Sequence, residues 1–230
     1  MCSSDLAPGV SIFAANMGSG NEGVSMSGTS MAAPHIAGIA ALMKEANPTW
    51  TNEQIKAALM NTAVDLADPL SIPLQGAGRV DALAAVTTDV IAIADSKFVS
   101  MNWGVIKVTE DTFKSIKTVT LRNFSSEEVT LVVDSFFTSD GTGATLTAGV
   151  ETVTIPAYGK TIVEFTLVLD MTQMPIGFTD SYIYNQSPVY NGMEEYYGYV
   201  TFTGDDANLR VPFYFVPRPF TEITELDLDT

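Results

Sequence analysis

The sequence predicts a chain in two parts, the end of an α/β domain followed by an all-β antiparallel sandwich. Three observations predict it. Up to about residue 94 the chain is Ala-rich and its apolar residues recur at helical spacing, whereas from Asp95 onward Val, Thr, Phe and Tyr alternate with polar residues. The first part offers helices, Gly-rich turns and one early strand, too few elements to close a domain of their own. The second part holds short strand-like runs divided by turn clusters, with no helical spacing between them. The expected domains are residues 1–94, an α/β remnant from the C-terminal part of a parallel-sheet domain; residues 95–218, the sandwich; and residues 219–230, an acidic tail or linker.

The elements follow in order. "MCSSDL" at Met1 to Leu6 is no targeting segment and reads as an assembly artefact, so the chain is expected to be a fragment. "APGVSIFAAN", Ala7 to Asn16, predicts a Pro-Gly turn and a short buried strand, and the polar loop "MGSGNEGVSM" follows. From Thr29 to about Ala46 small and apolar residues occupy every side, which predicts a buried helix. Thr51, with Gln54 three residues on, predicts a capping box; Ile55, Ala58, Leu59 and Thr62 then mark an amphipathic helix. A loop through "QGAGR" leads to a last short helix, Val80 to Val86. Beyond it, "KTVTLRN", "EVTLVVDSFF", "ETVTIP", "KTIVEFTLVLD", "YYGYVTFTG" and "LRVPFYFV" alternate as strands do. Pro212 inside the last run predicts an edge strand or a bulge.

Composition narrows the function. Against 27 acidic residues stand 11 basic ones, a net charge of −16 that repels phosphate backbones and anionic lipid and argues against nucleic-acid partners. No apolar run is long enough to span a bilayer. Cys2 is the only cysteine, so neither an intrachain disulfide nor a cysteine metal cluster can form. The acidic pairs Glu127–Glu128, Glu194–Glu195 and Asp205–Asp206 read as solvated turns, because neighbouring carboxylates on a strand point to opposite faces and none has a calcium-loop spacing. No metal and no cofactor are expected.

The chemistry gathers in "MSGTSMAAPHIAG", Met26 to Gly38. Ser30 stands where a glycine loop meets a helix, and there unpaired N–H groups and the helix dipole favour developing negative charge. Gly28 permits a tight turn and the close approach of another chain. A nucleophilic serine needs that setting, yet a Ser or Thr that merely caps the helix stands in the same place. The residues themselves leave both readings open. His35 is a poor base for Ser30: five residues along a helix puts it ~140° off the starting face and about 7.5 Å up the axis. A structural role is expected for it, and no Ser–His dyad.

"SGTSMAAPHIAG" resembles the nucleophile signature of the subtilisin-like serine proteases, the subtilases or peptidase S8 type. "APGVSI" upstream, and "NPTWTNEQIKAALMNTA" and "GAGRVDALAAV" downstream, are similar to the family's segments in the same order, from Ala7 to Val86. The resemblance implies a serine endopeptidase that acts on polypeptide substrates through an acyl-enzyme on Ser30. It implies that the Ser30 N–H and the Thr29 hydroxyl hold the oxyanion and that Met31 lines the leaving-group side. Met26 and Ser27 would edge the cleft, Pro34 would fix the helix start, and His35 would belong to the motif without being the base. The family's Asp, His and oxyanion Asn segments are not in this sequence, so the chain is expected to be inactive by itself. "LRVPFYFVPRP" is similar to the end of the fibronectin-type-III-like module that follows the catalytic domain in large subtilases. That module is expected to pack against the protease segment, in an extracellular or cell-envelope protein. Two rivals are a non-catalytic pseudoprotease or surface adhesion module, and a carbohydrate platform made of Tyr196, Tyr197 and Tyr199.

Overall fold

A computed structural model describes residues 6–67, 70–94, 98–174, 195–205 and 207–219. Cys2, Glu194, Asp206 and the tail 220–230 lie outside the described residues.

Two short strands open the fold, β1 (Ile12–Ala15) and β2 (Gly23–Met26), paired antiparallel with Ile12 opposite Met26. The strand read as buried is exposed: Phe13 is 76% exposed, because β2 is its ladder partner and no described element covers the ribbon. The helix α1 (Thr29–Ala46) likewise departs from the expectation of burial on all sides. Of its residues only Met43 is buried, and Leu42 is 54% exposed. Its packed stripe is Ile36, Ile39, Ala40 and Met43, the spacing of a single helical face. Composition made every side capable of burial, but burial needs a partner on each.

The capping box forms as the spacing requires. In α2 (Asn52–Asn61) the Gln54 N–H donates to Thr51 Oγ1 at 3.3 Å, and the Thr51 N–H donates to Gln54 Oε1 at 2.8 Å. A short turn of helix, α3 (Ile72–Gln75), went unread in the loop before "GAGR". The last helix, α4 (Ala82–Thr87), starts at Asp81, whose carboxylate accepts the Ala84 N–H at 3.0 Å. Leu6, assigned to the foreign leader, is bonded into the fold: its N–H donates to Gly78 O at 2.7 Å and its carbonyl accepts the Val80 N–H at 2.8 Å.

Among the described residues nine strands make the sandwich: β3 (Val90–Ile93), β4 (Met101–Val108), β5 (Thr112–Asn123), β6 (Val129–Phe137), β7 (Ala144–Ala148), β8 (Thr152–Ile155), β9 (Lys160–Asp170), β10 (Tyr196–Thr203) and β11 (Asn208–Pro219). One sheet runs β4-β11-β10-β6-β8 and the other β3-β5-β9-β7. Alternate side chains of both sheets meet in one core, where Phe165 of β9 lies edge-on to Phe202 of β10 with ring centres 6.1 Å apart. The sandwich is mostly antiparallel, but β4 runs parallel to β11. The expected antiparallel sandwich is found among the described strands, with this one pairing as the exception. Strand β3 precedes residue 95 yet pairs with β5, so the first sandwich strand comes before the expected boundary.

Pro212 is neither on an outermost strand nor at the bulge, which lies between Tyr214 and Phe215. It is tolerated because pairing with β4 starts only at Phe213, so at position 212 the strand has one neighbour. Thr51→Ala, which removes the acceptor half of the box, is expected to lower stability by about 1 kcal/mol, read as a lower urea midpoint with an unchanged slope.

Candidate functional site

The start of α1 decides between the two readings of Ser30. The helix is capped by Gly28, at φ 151° and ψ 171°, and no side chain makes a capping hydrogen bond. That φ is one L side chains rarely adopt, so glycine is required there. Ser30 is the second residue of the helix, and its exposed hydroxyl bonds to nothing among the described residues. The capping role is therefore excluded for both Thr29 and Ser30.

The first turn leaves donors open. The Met31 and Ala32 N–H groups share the Gly28 carbonyl, at 3.0 and 3.3 Å. Those of Thr29 and Ser30 have no acceptor among the described residues. No acidic side chain lies in this turn to quench the positive end of the helix dipole. Pro34 stands four residues after Ser30 and has no N–H, so the Ser30 carbonyl also lacks its helical partner. An unbonded hydroxyl thus lies beside unbonded N–H donors at a helix N-terminus, a setting that can stabilise an oxyanion.

The approach to this turn is fixed by Gly9 and Ser11, which the sequence reading passed over. Gly28 N–H donates to Gly9 O at 2.7 Å, and Ser11 N–H donates to Ser27 Oγ at 2.9 Å. These bonds hold Ser11 in a left-handed conformation, φ 55°, costly for a residue with a Cβ. A Cβ on Gly9 would come within 2.9 Å of Gly28 O and 3.2 Å of Ala32 Cβ, so glycine is needed for this close approach. The signal was available in "APGVSI", where a Gly and a Ser interrupt an apolar run. Met26 ends β2 and is half-exposed, and Met31 is half-buried.

His35 is held by its own helix. Its Nδ1 lies 2.8 Å from the Met31 carbonyl and donates to it in the tautomer that protonates Nδ1. It is the one histidine of these 230 residues, so they hold no other imidazole to face Ser30. Among the described residues no group of three or more His, Cys, Asp or Glu side chains could hold a metal ion, and no described helix is long and apolar enough to cross a membrane. The carbohydrate platform fails on burial. Tyr196 is 1% exposed, with its hydroxyl donating to Thr142 O, and Tyr199 is 3% exposed beneath Gln75.

Residues 4–78 match the subtilase family. Minor extracellular protease Vpr of Bacillus subtilis is 36% identical over 138 residues, which is 58% of this chain and 16% of that protein. Subtilisin Savinase of Lederbergia lenta is 49% identical over 80 residues, 35% of this chain and 28% of that one. The chain thus spans well under a third of these relatives' lengths, and the Vpr match is longer than the subtilase segment itself. Among solved structures, the PapD-like domain 7 of human CEP192 aligns over 70% of this chain and 98% of that one at 12% identity, with a TM-score of 0.36.

Because Ser30 does not cap α1, Ser30→Ala should leave the urea midpoint within the ~0.5 kcal/mol typical of a neutral surface substitution. A loss near 1 kcal/mol would mark a capping role instead.

Proposed function

We propose that the chain is the serine-bearing part of a subtilisin-like endopeptidase, in which Ser30 Oγ attacks the scissile carbonyl. The observation that carries this reading is the unbonded Ser30 hydroxyl beside the open Thr29 and Ser30 N–H groups, inside the matched segment. The Ser30 N–H, with the Thr29 hydroxyl, holds the tetrahedral oxyanion; collapse expels the amine and leaves an acyl-enzyme, which water then hydrolyses. A base must take the Ser30 proton and return it to the leaving amine. His35 is committed to Met31 O, so the base and its orienting carboxylate belong to the upstream part of the catalytic domain. That part also covers the ribbon and the exposed side of α1, and with it residues 6–89 make the end of an α/β domain, β3 belonging to the sandwich. The sandwich, read as a fibronectin-III-like companion, packs on this segment. The substrates are polypeptides and the place of action is outside the cell, a reading supported by the likeness to an extracellular protease of Bacillus subtilis.

A fluorophosphonate probe tests the reading, since it labels only an activated serine. The full-length protein is expected to be labelled at Ser30 and to cleave a peptide substrate, and its Ser30→Ala variant to do neither. Residues 1–230 as they stand should remain unlabelled, for want of a base. Labelling of a serine other than Ser30 in the full-length protein would overturn the assignment.

Met31 gives a second test. It follows the nucleophile and lines the leaving-group side, so its oxidation to the sulfoxide adds bulk and polarity where the transition state is crowded. Mild peroxide should lower kcat of the full-length enzyme with KM little altered, and Met31→Ala should confer resistance. Equal loss of activity in that variant would remove Met31 from the cleft.

A further inference from the structure

Asn61, the last residue of α2, is 1% exposed and makes hydrogen bonds that local sequence does not suggest. Its Oδ1 accepts the Ala92 N–H at 2.8 Å, and its Nδ2 donates to the Arg210 carbonyl at 3.0 Å. Ala92 lies on β3, the edge of the four-stranded sheet. Arg210 lies on β11 before β4 has joined it, so its outer side is also an edge. In a ladder, every second N–H or C=O of an edge strand points away from its neighbour. One amide therefore satisfies an edge group from each sheet.

Four further observations concern the same junction. Ile91 and Val99 are fully buried in a second apolar cluster with Trp50, Ala57, Ala58 and Met43, not in the sandwich core. Trp50 packs on Phe124, at the end of β5, with ring centres 4.8 Å apart. Val99 is held at φ 59°, an unfavourable conformation for a β-branched residue, and its side chain is 0% exposed in that cluster. Outside the five-stranded sheet the Arg210 guanidinium lies 4.8 Å from the Tyr199 ring, and a Cβ on Gly78 would collide with Arg210 Nη2 and the Val64 carbonyl.

We infer that the sandwich and the segment from about Met43 to Val90 are one cooperative folding unit clamped by Asn61, and that the sandwich is not a tethered accessory. The strained Val99 linker persists because this junction holds it. The β1–β2 ribbon and the first turn of α1 lie outside the unit, since their side chains are largely exposed. The inference does not depend on what Ser30 does.

The two tryptophans read the two sides: Trp50 in the segment and Trp103 on β4. Single-tryptophan chains, Trp50→Phe and Trp103→Phe, are expected to show coincident urea transitions by fluorescence. Asn61→Leu is expected to lower both midpoints together. If Asn61→Leu brings the Trp50 transition forward and leaves that of Trp103 unmoved, the sides are separate domains and the inference fails. Should either tryptophan variant not fold, amide exchange in the unaltered chain decides. Ala92 exchanging with the same urea dependence as core amides of β10 supports one unit; a urea-independent, faster exchange at Ala92 overturns it.

Discussion

The structure depends on how the open side of the sandwich is closed. A sheet edge leaves N–H and C=O groups that must find water or a partner, and a buried group left without one costs about 1–3 kcal/mol. Here the β3 edge at Ala92 is buried and the β11 edge at Arg210 is partly so, which leaves water little room to serve them. The Asn61 side chain carries a donor and an acceptor at a spacing that suits both. An apolar residue of similar size would leave two buried backbone groups unpaired, and Asp would place a carboxylate against a carbonyl. Burial of Ile91 and Trp50 supplies the driving force, while Asn61 makes that burial possible without a polar deficit.

Arg210 contributes differently. Its ion pair with Asp65 reaches a carboxylate that is 62% exposed, and such pairs are screened and worth little. Its side chain is 13% exposed, and Nε and Nη2 have no hydrogen-bond partner among the described residues, which is unfavourable for a guanidinium. What remains is the face-on contact with Tyr199 and the close approach to Gly78. Shape and stacking hold this residue more than charge does. The same contact explains why the turn after α3 has a glycine at position 78 when its φ is 121°: both the conformation and the space require it.

Legibility in the sequence followed the range of the interaction. The capping box at Thr51 and Gln54 needs only a three-residue spacing, and it formed as read. The long alternating runs became β5, β6, β9, β10 and β11, because period-two burial repeats within each strand. Strand β4 escaped because Gly104, at φ 62°, and the bulge opposite it break the alternation. Strand β7 escaped because "ATLTA" follows the "SDGTG" turn cluster directly and carries a single large apolar side chain, Leu146. The exposure of β1 and α1 could not be read, since composition states what a surface can bury and not what will cover it. Asn61 was out of reach for the same reason: its partners lie 31 and 149 residues away.

The candidate site shows the same division between local and distant causes. Gly28, Pro34 and the shared Gly28 carbonyl are local, and they suffice to leave the Ser30 hydroxyl and two N–H groups unbonded at a helix start. Removing the capping role matters here, because a hydroxyl spent on a backbone N–H would have to break that bond before it could attack. The activation of that hydroxyl is distant, since it needs a base that no local geometry offers and that His35, turned back on its own helix, does not provide. Electrostatics favour the division as well. The net charge of −16 would oppose a developing oxyanion anywhere on an ordinary surface, and the acid-free first turn of α1 is where the helix dipole works against that field. On the proposed reading the chain supplies the place where negative charge forms, and the reaction waits on the group that takes the proton.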